Sequence, residues 1–238
     1  MAGGYYTALS GMQARMAALD RIATDIANGS TAGYKSERAG TEQANRPSFG
    51  TMLQSAVDVA NGVTHLDTRP GPQAATGRSL DVAIEGRGYF VVNTPQGQRY
   101  TRNGHLVRRA DGVLTNDEGD VIDGTSGQIK LGEGDVEIGA DGAIRNDGKL
   151  AGTLKVVDFP PDARIEREGG SRYMTKAQPI AIDKPDIRSG ALEQSNVSVV
   201  DRIAELTEVT RSYEGLMRGV TMLMNDVDRG AITELGRK

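Results

Sequence analysis

Cysteine and tryptophan are both absent from this 238-residue sequence. Without cysteine the chain can form no disulfide, no zinc–thiolate site and no thiol nucleophile. Aromatic residues make up only 4% of the chain and hydrophobic residues 37%, which is below the usual share for a globular protein. We therefore do not expect a single large hydrophobic core.

Charge and hydropathy argue against two further classes of protein. The formal net charge is −4 and the chain has no basic run, so nothing in it is suited to neutralising nucleic-acid phosphates. No window approaches the roughly 18 consecutive apolar residues that a membrane-spanning helix needs. The first residues, MAGGYYTALS, lack the basic and apolar regions of a cleavable signal peptide. We expect a soluble protein, or one exported by a route that uses no such signal.

The N-terminal region, residues 4–28, is predicted to form a helix with a narrow apolar seam. Its apolar residues recur at alternating intervals of four and three, which is the heptad pattern of a coiled coil. Gly29 is predicted to end this helix as its C′ residue, where a positive φ costs a glycine little. The seam residues are Tyr5, Leu9, Met12, Met16, Leu19, Ala23 and Ile26.

The C-terminal region, residues 198–233, is predicted to form a second helix with the same spacing. Ser198 and Asp201 match a capping box at its start. The seam contains no proline, which is consistent with an uninterrupted helix. Its residues are Val199, Ile203, Leu206, Thr210, Tyr213, Met217, Val220, Met224, Val227 and Ala231.

Two interpretations of these helices are open. Each helix alone is typical of an ordinary amphipathic helix that packs on a shared core. Two narrow seams at opposite ends of the chain, on either side of a different middle region, favour pairing of the helices with each other. Apolar residues beside the seams are candidates for contacts with helices of neighbouring copies; they are Ile22, Val209, Leu216 and Leu223.

The middle of the chain is predicted to form short antiparallel β-strands. In SLDVAIEG (79–86), alternate residues are apolar, as in a half-buried strand. GYFVVNT (88–94) and GTLKVVDF (152–159) are two further short apolar runs of strand type. Asn103-Gly104 is a strong signal for a tight turn.

Two later stretches, ADGVLTNDEG (110–119) and ADGAIRNDGK (140–149), resemble each other. Each has Asp-Gly followed three residues later by Asn-Asp. The simplest explanation is a pair of similar β-hairpins that both need Asp-Gly turns.

These predictions together describe an α+β fold in four segments. Residues 1–35 form the N-terminal helix of an inner coiled-coil domain, and residues 36–77 form an extended connecting segment. Residues 78–186 form an antiparallel all-β domain. Residues 187–238 return to the inner domain and supply its C-terminal helix.

A glycine pair near a lysine, in IATDIANGSTAGYKSE (22–37), invites comparison with a phosphate-binding loop. That loop requires the pattern GxxxxGK[ST] directly after a strand. Here the spacing from Gly29 to Gly33 and Lys35 is wrong, and a predicted helix precedes it. The stretch is therefore predicted to be a helix end and a bend, without a nucleotide site.

No other motif predicts catalytic, cofactor-binding or metal-binding residues. His65 and His105 lie in separate predicted elements and neither is paired with a nucleophile. The acidic run NDEGDVID (116–123) lacks the ligand spacing of an EF-hand and is predicted to be a solvated turn. Paired carboxylates of a glycosidase cannot be recognised from sequence, so a carbohydrate-active β enzyme with helical arms stays open as a minor alternative.

Three motifs, in order along nearly the whole chain, resemble the rod, hook and hook-associated proteins of the bacterial flagellum. The first runs from ALSGM (8–12) to TAGYK (31–35), the second from LDVAIEG (80–86) to YTRNG (100–104), and the third is LEQSNV (192–197) with TRSYE (210–214). Asp25 and Gly29 depart from the first motif, where that family commonly has Asn and a Val, Ala or Ser. The residues that carry the terminal motifs are Asn28, Thr31, Gly33, Tyr34, Lys35, Ser195, Asn196 and Val197.

Within that family the middle motif and the short length resemble the FlgF/FlgG rod subgroup. The length and the ending DVDRGAITELGRK are more similar to FlgF, the proximal rod type, and the distal FlgG type or another axial protein is the alternative. The resemblance implies a structural subunit, not an enzyme, without cofactors or nucleic acid. It also implies export by the flagellar type III apparatus and a place in the periplasm-spanning rod.

The resemblance further implies that the terminal helices pair as a coiled coil and contact copies of the chain and neighbouring rod subunits. The assembly interface is then expected on the two seams. Its residues are Leu9, Met12, Met16, Leu19, Ala23, Ile26, Ile203, Leu206, Tyr213, Met217, Val220 and Met224.

Overall fold

The computed structural model describes residues 2–39 and 64–235. Residues 40–63, which belong to the predicted connecting segment, lie outside the described residues. The chain divides into two compact units. Among the described residues, the helical unit holds the two terminal helices, and the β unit holds residues 28–38 and 65–197. The fold is α+β, as predicted.

The two helices begin and end close to their predicted limits. Helix α1 spans Ala2–Ala27 and helix α2 spans Val199–Leu235. The Asp201 amide donates a hydrogen bond to Ser198 Oγ (3.4 Å), which is one half of the predicted capping box. The prediction for Gly29 is wrong. The glycine with a positive φ in this stretch is Gly33 (φ 70°), six residues after the helix ends.

Short strands of two to six residues fill the part of the chain between the helices. In chain order they are β1 (Glu37–Ala39), β2 (Thr64–Leu66), β3 (Gln73–Ala75), β4 (Val82–Ile84), β5 (Tyr89–Thr94), β6 (Gly97–Thr101), β7 (Leu106–Arg108), β8 (Leu114–Asn116), β9 (Val121–Gly124), β10 (Gly127–Gln128), β11 (Val136–Ile138), β12 (Ala143–Asn146), β13 (Lys149–Thr153), β14 (Val156–Asp158), β15 (Ile165–Gly169), β16 (Arg172–Thr175), β17 (Ile180–Ala181), β18 (Ile187–Ser189) and β19 (Ala191–Glu193). Strands this short pack mainly through one or two side chains per face.

The largest sheet is antiparallel, as predicted, and has the order β15-β16-β6-β5-β9-β8-β7. Strand β10 pairs with β9, and β14 pairs with both β5 and β17. Strands β11, β12 and β13 form a separate antiparallel sheet. Two further pairs, β18 with β4 and β19 with β3, join the C-terminal end of the β unit to its N-terminal part.

The buried side chains of the β unit form two clusters rather than one. Along β5, Phe90 and Val92 belong to the larger cluster, whereas Tyr89 and Val91 belong to the smaller one. This alternation follows from the two-residue period of a strand, which sends successive side chains to opposite faces. The larger cluster also contains Val82 and Ile84 of the predicted alternating strand. The low apolar content is thus divided between two small cores.

The two Asp-Gly turns form as predicted. The amide of Gly112 donates to the carbonyl of Arg109 (2.9 Å), and the amide of Gly142 donates to the carbonyl of Gly139 (2.9 Å). Both turn glycines have a positive φ, of 83° and 77°. These turns join β7 to β8 and β11 to β12.

The predicted tight turn at Asn103-Gly104 is wrong, because β6 and β7 do not pair with each other. The Asn103 side chain instead accepts a hydrogen bond from the amide of His105 (3.0 Å). The Gly104 carbonyl accepts one from the amide of Val82 (3.0 Å). The glycine is required by space, since a Cβ on Gly104 would lie 1.7 Å from the Val82 carbonyl oxygen.

We expect Gly104→Ala to destabilise the β unit by about 1–3 kcal/mol, the usual cost of overpacking, because the added methyl group must displace backbone. Gly169→Ala is the matched control, since a Cβ there meets nothing within 4 Å. Its effect should stay within about 0.5 kcal/mol. Thermal unfolding of the two purified variants measures the difference, and equal melting temperatures would contradict the steric explanation.

Candidate functional sites: the helix pair and the buried junction

Helices α1 and α2 lie antiparallel and contact each other through polar side chains. Arg15 Nε donates to Ser212 Oγ (3.1 Å), and Arg21 forms an ion pair with Glu205 (3.3 Å). One turn further along α1, the fully buried Asp25 forms an ion pair with Arg202. From one contact to the next, the residue number on α1 rises while the residue number on α2 falls, so the two helices are antiparallel.

The structure divides each predicted seam into a half-buried set and an exposed set. On α1, Met12, Leu19 and Ile26 are half-buried, whereas Leu9 (40% exposed), Met16 (53%) and Ala23 are exposed. The two sets alternate along the described part of the seam, so every second position from Leu9 to Ile26 faces solvent.

Helix α2 shows the same alternation. Leu206, Tyr213 and Val220 are half-buried, whereas Ile203 and Met217 are 51% and 42% exposed. The side chain of Met224 lies outside the described side chains. We call Leu9, Met16, Ala23, Ile203 and Met217 the exposed stripe.

The residues beside the seams, which are candidates for contacts with neighbouring copies, differ in burial, and the side chain of Leu223 lies outside the described side chains. Ile22 is completely buried within the chain. Leu216 lies next to Gly11, where a Cβ would be 3.6 Å from Leu216 Cδ1. Val209 is half-buried. The contact face of each helix is therefore rotated by about one residue from the predicted seam.

The family-motif residues lie in a second place, a buried junction within the β unit. Here the segment after α1 meets the segment before α2. The amide of Gly33 donates to the carbonyl of Glu193 (2.8 Å). A Cβ on Gly33 would lie 2.2 Å from the amide nitrogen of Asn103, so glycine alone fits this crossing of two backbones.

The centre of the junction is a buried group of three charges. Lys35 and Glu193 form an ion pair in which both side chains are completely buried. Arg102 donates to the second oxygen of the same carboxylate (3.0 Å). Lys35 Nζ also donates to the carbonyl of Arg69 (2.8 Å), and the amide of Gly71 donates to Glu193 Oε1 (3.1 Å). One carboxylate therefore holds two cations and one backbone amide.

Burial lowers the pKa of Lys35 from its ordinary value, and the negative charge of Glu193 acts in the opposite direction. The attraction of Glu193 thus offsets the cost of burying the Lys35 charge, which is the electrostatic reason for the pairing. An ammonium in an apolar interior is costly unless an anion contacts it directly. Without Glu193 the cost of burying Lys35 would not be offset.

Two tyrosines enclose the charged group. The Tyr34 ring lies beneath the guanidinium of Arg167, 4.4 Å from its centre, where a cation–π attraction operates. Tyr173 Oη donates to the carbonyl of Gly33 (3.0 Å) and accepts a hydrogen bond from the amide of Lys35 (2.8 Å). Burial raises the pKa of Tyr173, so its hydroxyl stays protonated and can donate.

The remaining motif residues fix the backbone around this centre. Asn196 Oδ1 accepts from the amide of Ser36 (2.7 Å), and its Nδ2 donates to the carbonyl of Asp67 (2.8 Å). Ser195 Oγ accepts from the amide of Val197 (3.2 Å). Thr31 donates from both its amide and its hydroxyl to Asn28, at 3.1 and 3.2 Å.

Arg102 and Glu193 lie within the sequence motifs, but no sequence pattern identifies them as a charged pair. Sequence patterns reveal faces of helices and strands, whereas this contact joins positions 91 residues apart. Their pairing required the tertiary structure.

The other polar candidates have structural partners. His105 contacts Asp81 (2.9 Å). In the acidic run, Asp120 pairs with Arg172 (3.2 Å) and Asp123 with Lys155 (3.2 Å). Among the described residues, no group of three or more potential metal ligands comes together. In the same part of the chain, no helix is long and apolar enough to cross a membrane.

We expect Glu193→Gln to destabilise the β unit more than Lys35→Met. The first change leaves two buried cations without an anion, which costs about 3–5 kcal/mol. The second leaves Glu193 paired with Arg102. For a unit of this size, about 3 kcal/mol corresponds to a fall of roughly 6–12 °C in melting temperature. Calorimetry of both variants measures the order, and a larger loss for Lys35→Met would show that the lysine dominates.

Two family models match parts of this chain. Residues 83–146 match the family model of the flagellar hook protein FlgE/F/G D1 domain. Residues 188–223 match that of the flagellar basal body rod FlgEFG protein C-terminal region. The first match contains Arg102 and the second contains Glu193, so the central contact of the junction joins the two matched regions.

Full-length relatives agree with these matches. The chain is 33% identical to the flagellar basal-body rod protein FlgF of Rhizobium meliloti over 95% of this chain and 93% of the relative. It is 32% identical to FlgF of Mesorhizobium japonicum over the whole of both chains. Identity to the rod protein FlgG of Bacillus subtilis is 28%, over 91% of this chain and 93% of the relative. The chain therefore belongs to the family of flagellar basal-body rod proteins of the FlgF/FlgG type.

Proposed function

We propose that this chain is a structural subunit of the bacterial flagellar basal-body rod, the drive shaft of the flagellum. The observation that carries the proposal is the exposed stripe on a pair of contacting helices in a chain of this family. Large apolar side chains such as Met16 and Ile203, each about half exposed, are left without cover in a single copy. The family membership supports a structural role and not an enzymatic one.

The terminal helices, in this proposal, pair as an antiparallel coiled coil and form the inner layer of the rod. The polar contacts between α1 and α2 support pairing within one copy. The half-buried seam positions would belong to this pair, and the exposed stripe would contact helices of the next copies. Removing apolar surface from water contributes roughly 25 cal/mol per Å², so each covered stripe favours assembly.

Assembly of identical subunits into a shaft requires a heterologous contact. Such a contact joins two different surfaces, and repeated without closing it generates a helical array. A stripe that lies outside the intramolecular contact face supplies one of the two surfaces. Neighbouring rod subunits of other types would also bind to the exposed stripe, because the contact depends on the spacing of apolar residues.

The FlgF type is favoured over the FlgG type. Identity to the two FlgF relatives described above is 32–33%, against 28% to the Bacillus FlgG. The family membership also motivates export by the flagellar type III apparatus and a location in the periplasm-spanning part of the basal body. A distal rod protein, or another axial subunit of the same family, is the second candidate.

Deletion of the gene in the bacterium tests the rod assignment. We expect loss of hook and filament with the export apparatus and inner ring intact, because distal structures need a shaft to assemble on. Electron microscopy of isolated basal bodies shows which parts form. A strain that keeps a normal hook and filament would reject the assignment.

Met217→Asp is expected to block rod assembly and motility while the subunit itself still folds, because the side chain is exposed in a single copy. The new carboxylate would have to be buried without a partner in the assembled helix layer. Swimming in soft agar measures the effect, and circular dichroism of the purified subunit checks folding.

Ala204→Asp is the matched control, since it adds the same charge at another exposed position of α2, on a different face. It should leave motility unchanged. Normal swimming of the Met217→Asp strain would exclude the exposed stripe as an assembly surface.

A further inference from the structure

Among the residues that the structure describes, the dipeptide Asn-Gly occurs at 28–29 and at 103–104. Asparagine followed by glycine is especially prone to lose its side-chain amide, because glycine places no side chain beside its own amide nitrogen. That nitrogen can therefore approach the asparagine side chain and attack it. The two dipeptides lie in contrasting surroundings, and the contrast decides which of them can react.

Asn28 directly follows α1 and begins a turn to which water has access. Asn28 and Gly29 are half-buried and Ser30 is exposed. The carbonyl of Asn28 accepts a hydrogen bond from the amide of Thr31 (3.1 Å), and its Oδ1 accepts one from the Thr31 hydroxyl (3.2 Å). A donor at Oδ1 stabilises the negative charge that develops on this oxygen when a nucleophile adds to Cγ. The turn thus provides water and an activating donor at the same side-chain amide.

We propose that Asn28 is a site of spontaneous deamidation, with the Thr31 hydroxyl as the activating group. The Gly29 amide nitrogen loses its proton to water and forms a bond to Asn28 Cγ. The bond between Cγ and Nδ2 breaks, and Nδ2 takes up a proton and leaves as ammonia. Water then opens the resulting cyclic imide at either of its carbonyl groups, which gives aspartate or isoaspartate at this position.

The same reaction is blocked at Asn103, because both its side chain and its backbone are fixed. Asn103 is only 3% exposed, which excludes water. Its Oδ1 accepts a hydrogen bond from the amide of His105 (3.0 Å), and its Nδ2 donates one to Asp117 (3.0 Å). Its own amide donates to Thr101 Oγ1 (3.0 Å). Cyclisation would have to break these side-chain bonds inside the β unit.

Either product changes the chain at the start of the junction. A carboxylate at position 28 directly follows the last residue of α1, and a negative charge at the C-terminal end of a helix opposes the helix dipole. Isoaspartate also lengthens the main chain within the turn that Thr31 closes on Asn28. Gly33 follows soon after, and it fits only a narrow passage beside the backbone of Asn103. Deamidation is therefore expected to loosen the segment that enters the junction.

Peptide mass spectrometry of the purified, folded full-length protein tests the proposal. The protein is incubated at mildly alkaline pH, since the attacking nitrogen must lose its proton, and samples are digested with trypsin over time. Trypsin releases Asn28 in peptide 22–35 and Asn103 in peptide 103–108. We expect deamidation at Asn28 to be at least about tenfold faster than at Asn103, which corresponds to about 1.4 kcal/mol of activation free energy. A digest made before incubation corrects for deamidation during the digestion itself.

Two variants and one solvent condition serve as controls. Thr31→Val removes the hydroxyl and should slow deamidation at Asn28 by about two- to tenfold, which corresponds to the about 0.5–1.5 kcal/mol that a hydrogen bond contributes. Thr31→Ser keeps the hydroxyl and should retain the rate of the unchanged protein. In guanidinium chloride the two asparagines should react at similar rates, because unfolding gives both the same access to water. Thermal melting confirms that each variant is folded before incubation.

Equal deamidation rates at Asn28 and Asn103 in the folded protein would overturn the proposal. A difference that persists unchanged in guanidinium chloride would also overturn it, because the local sequence and not the structure would then be the cause. A Thr31→Val rate equal to that of Thr31→Ser would exclude the hydroxyl as the activating group. These rates are measured on the chain itself, so they do not depend on the rod assignment.

Discussion

The buried carboxylate of Glu193 is the contact on which the rest of the β unit depends. It binds the ammonium of Lys35 and the guanidinium of Arg102, and it also accepts the amide of Gly71. These groups come from four separate parts of the chain. A buried charge is tolerated only when its partners are all in place, so the contact selects one arrangement of the four segments.

This contact determines the path of the chain at the ends of the β unit. Residues 33–36 and 193–196 are tied together by backbone and side-chain hydrogen bonds, and β19 and β18 continue the association by pairing with β3 and β4. The two segments that continue into the helices therefore leave the β unit side by side.

The helix pair divides one apolar pattern into a half-buried set and an exposed set. Three residues of each predicted seam are half-buried within one copy, whereas alternate residues such as Met16 and Met217 stay exposed. An α-helix turns through 3.6 residues, so adjacent seam positions lie on slightly different faces. A modest rotation is enough to bury one set inside the subunit and to leave the other set exposed to solvent.

Much of this arrangement could be predicted from the sequence, because it depends on local rules. Periodicity located both helices to within about two residues, and the Asp-Gly turns and the alternating strand around Val82 follow from backbone and side-chain preferences. Turn chemistry was misleading at Asn103-Gly104, where the close approach to Val82 takes precedence over local preference. The helix-end signal at Gly29 was also misleading. The positive φ occurs at Gly33, because this residue passes close to the backbone of Asn103.

The sequence by itself determined the fold class, the two seams and the motifs that carry the family resemblance. Only the tertiary structure decided which face of each helix is buried, and that Lys35, Arg102 and Glu193 meet in one place. The physical reason is the distance along the sequence over which each kind of interaction acts. Helix, strand and turn preferences act over a few residues, whereas a buried ion pair requires partners that are distant in sequence and brought together only when the whole unit folds.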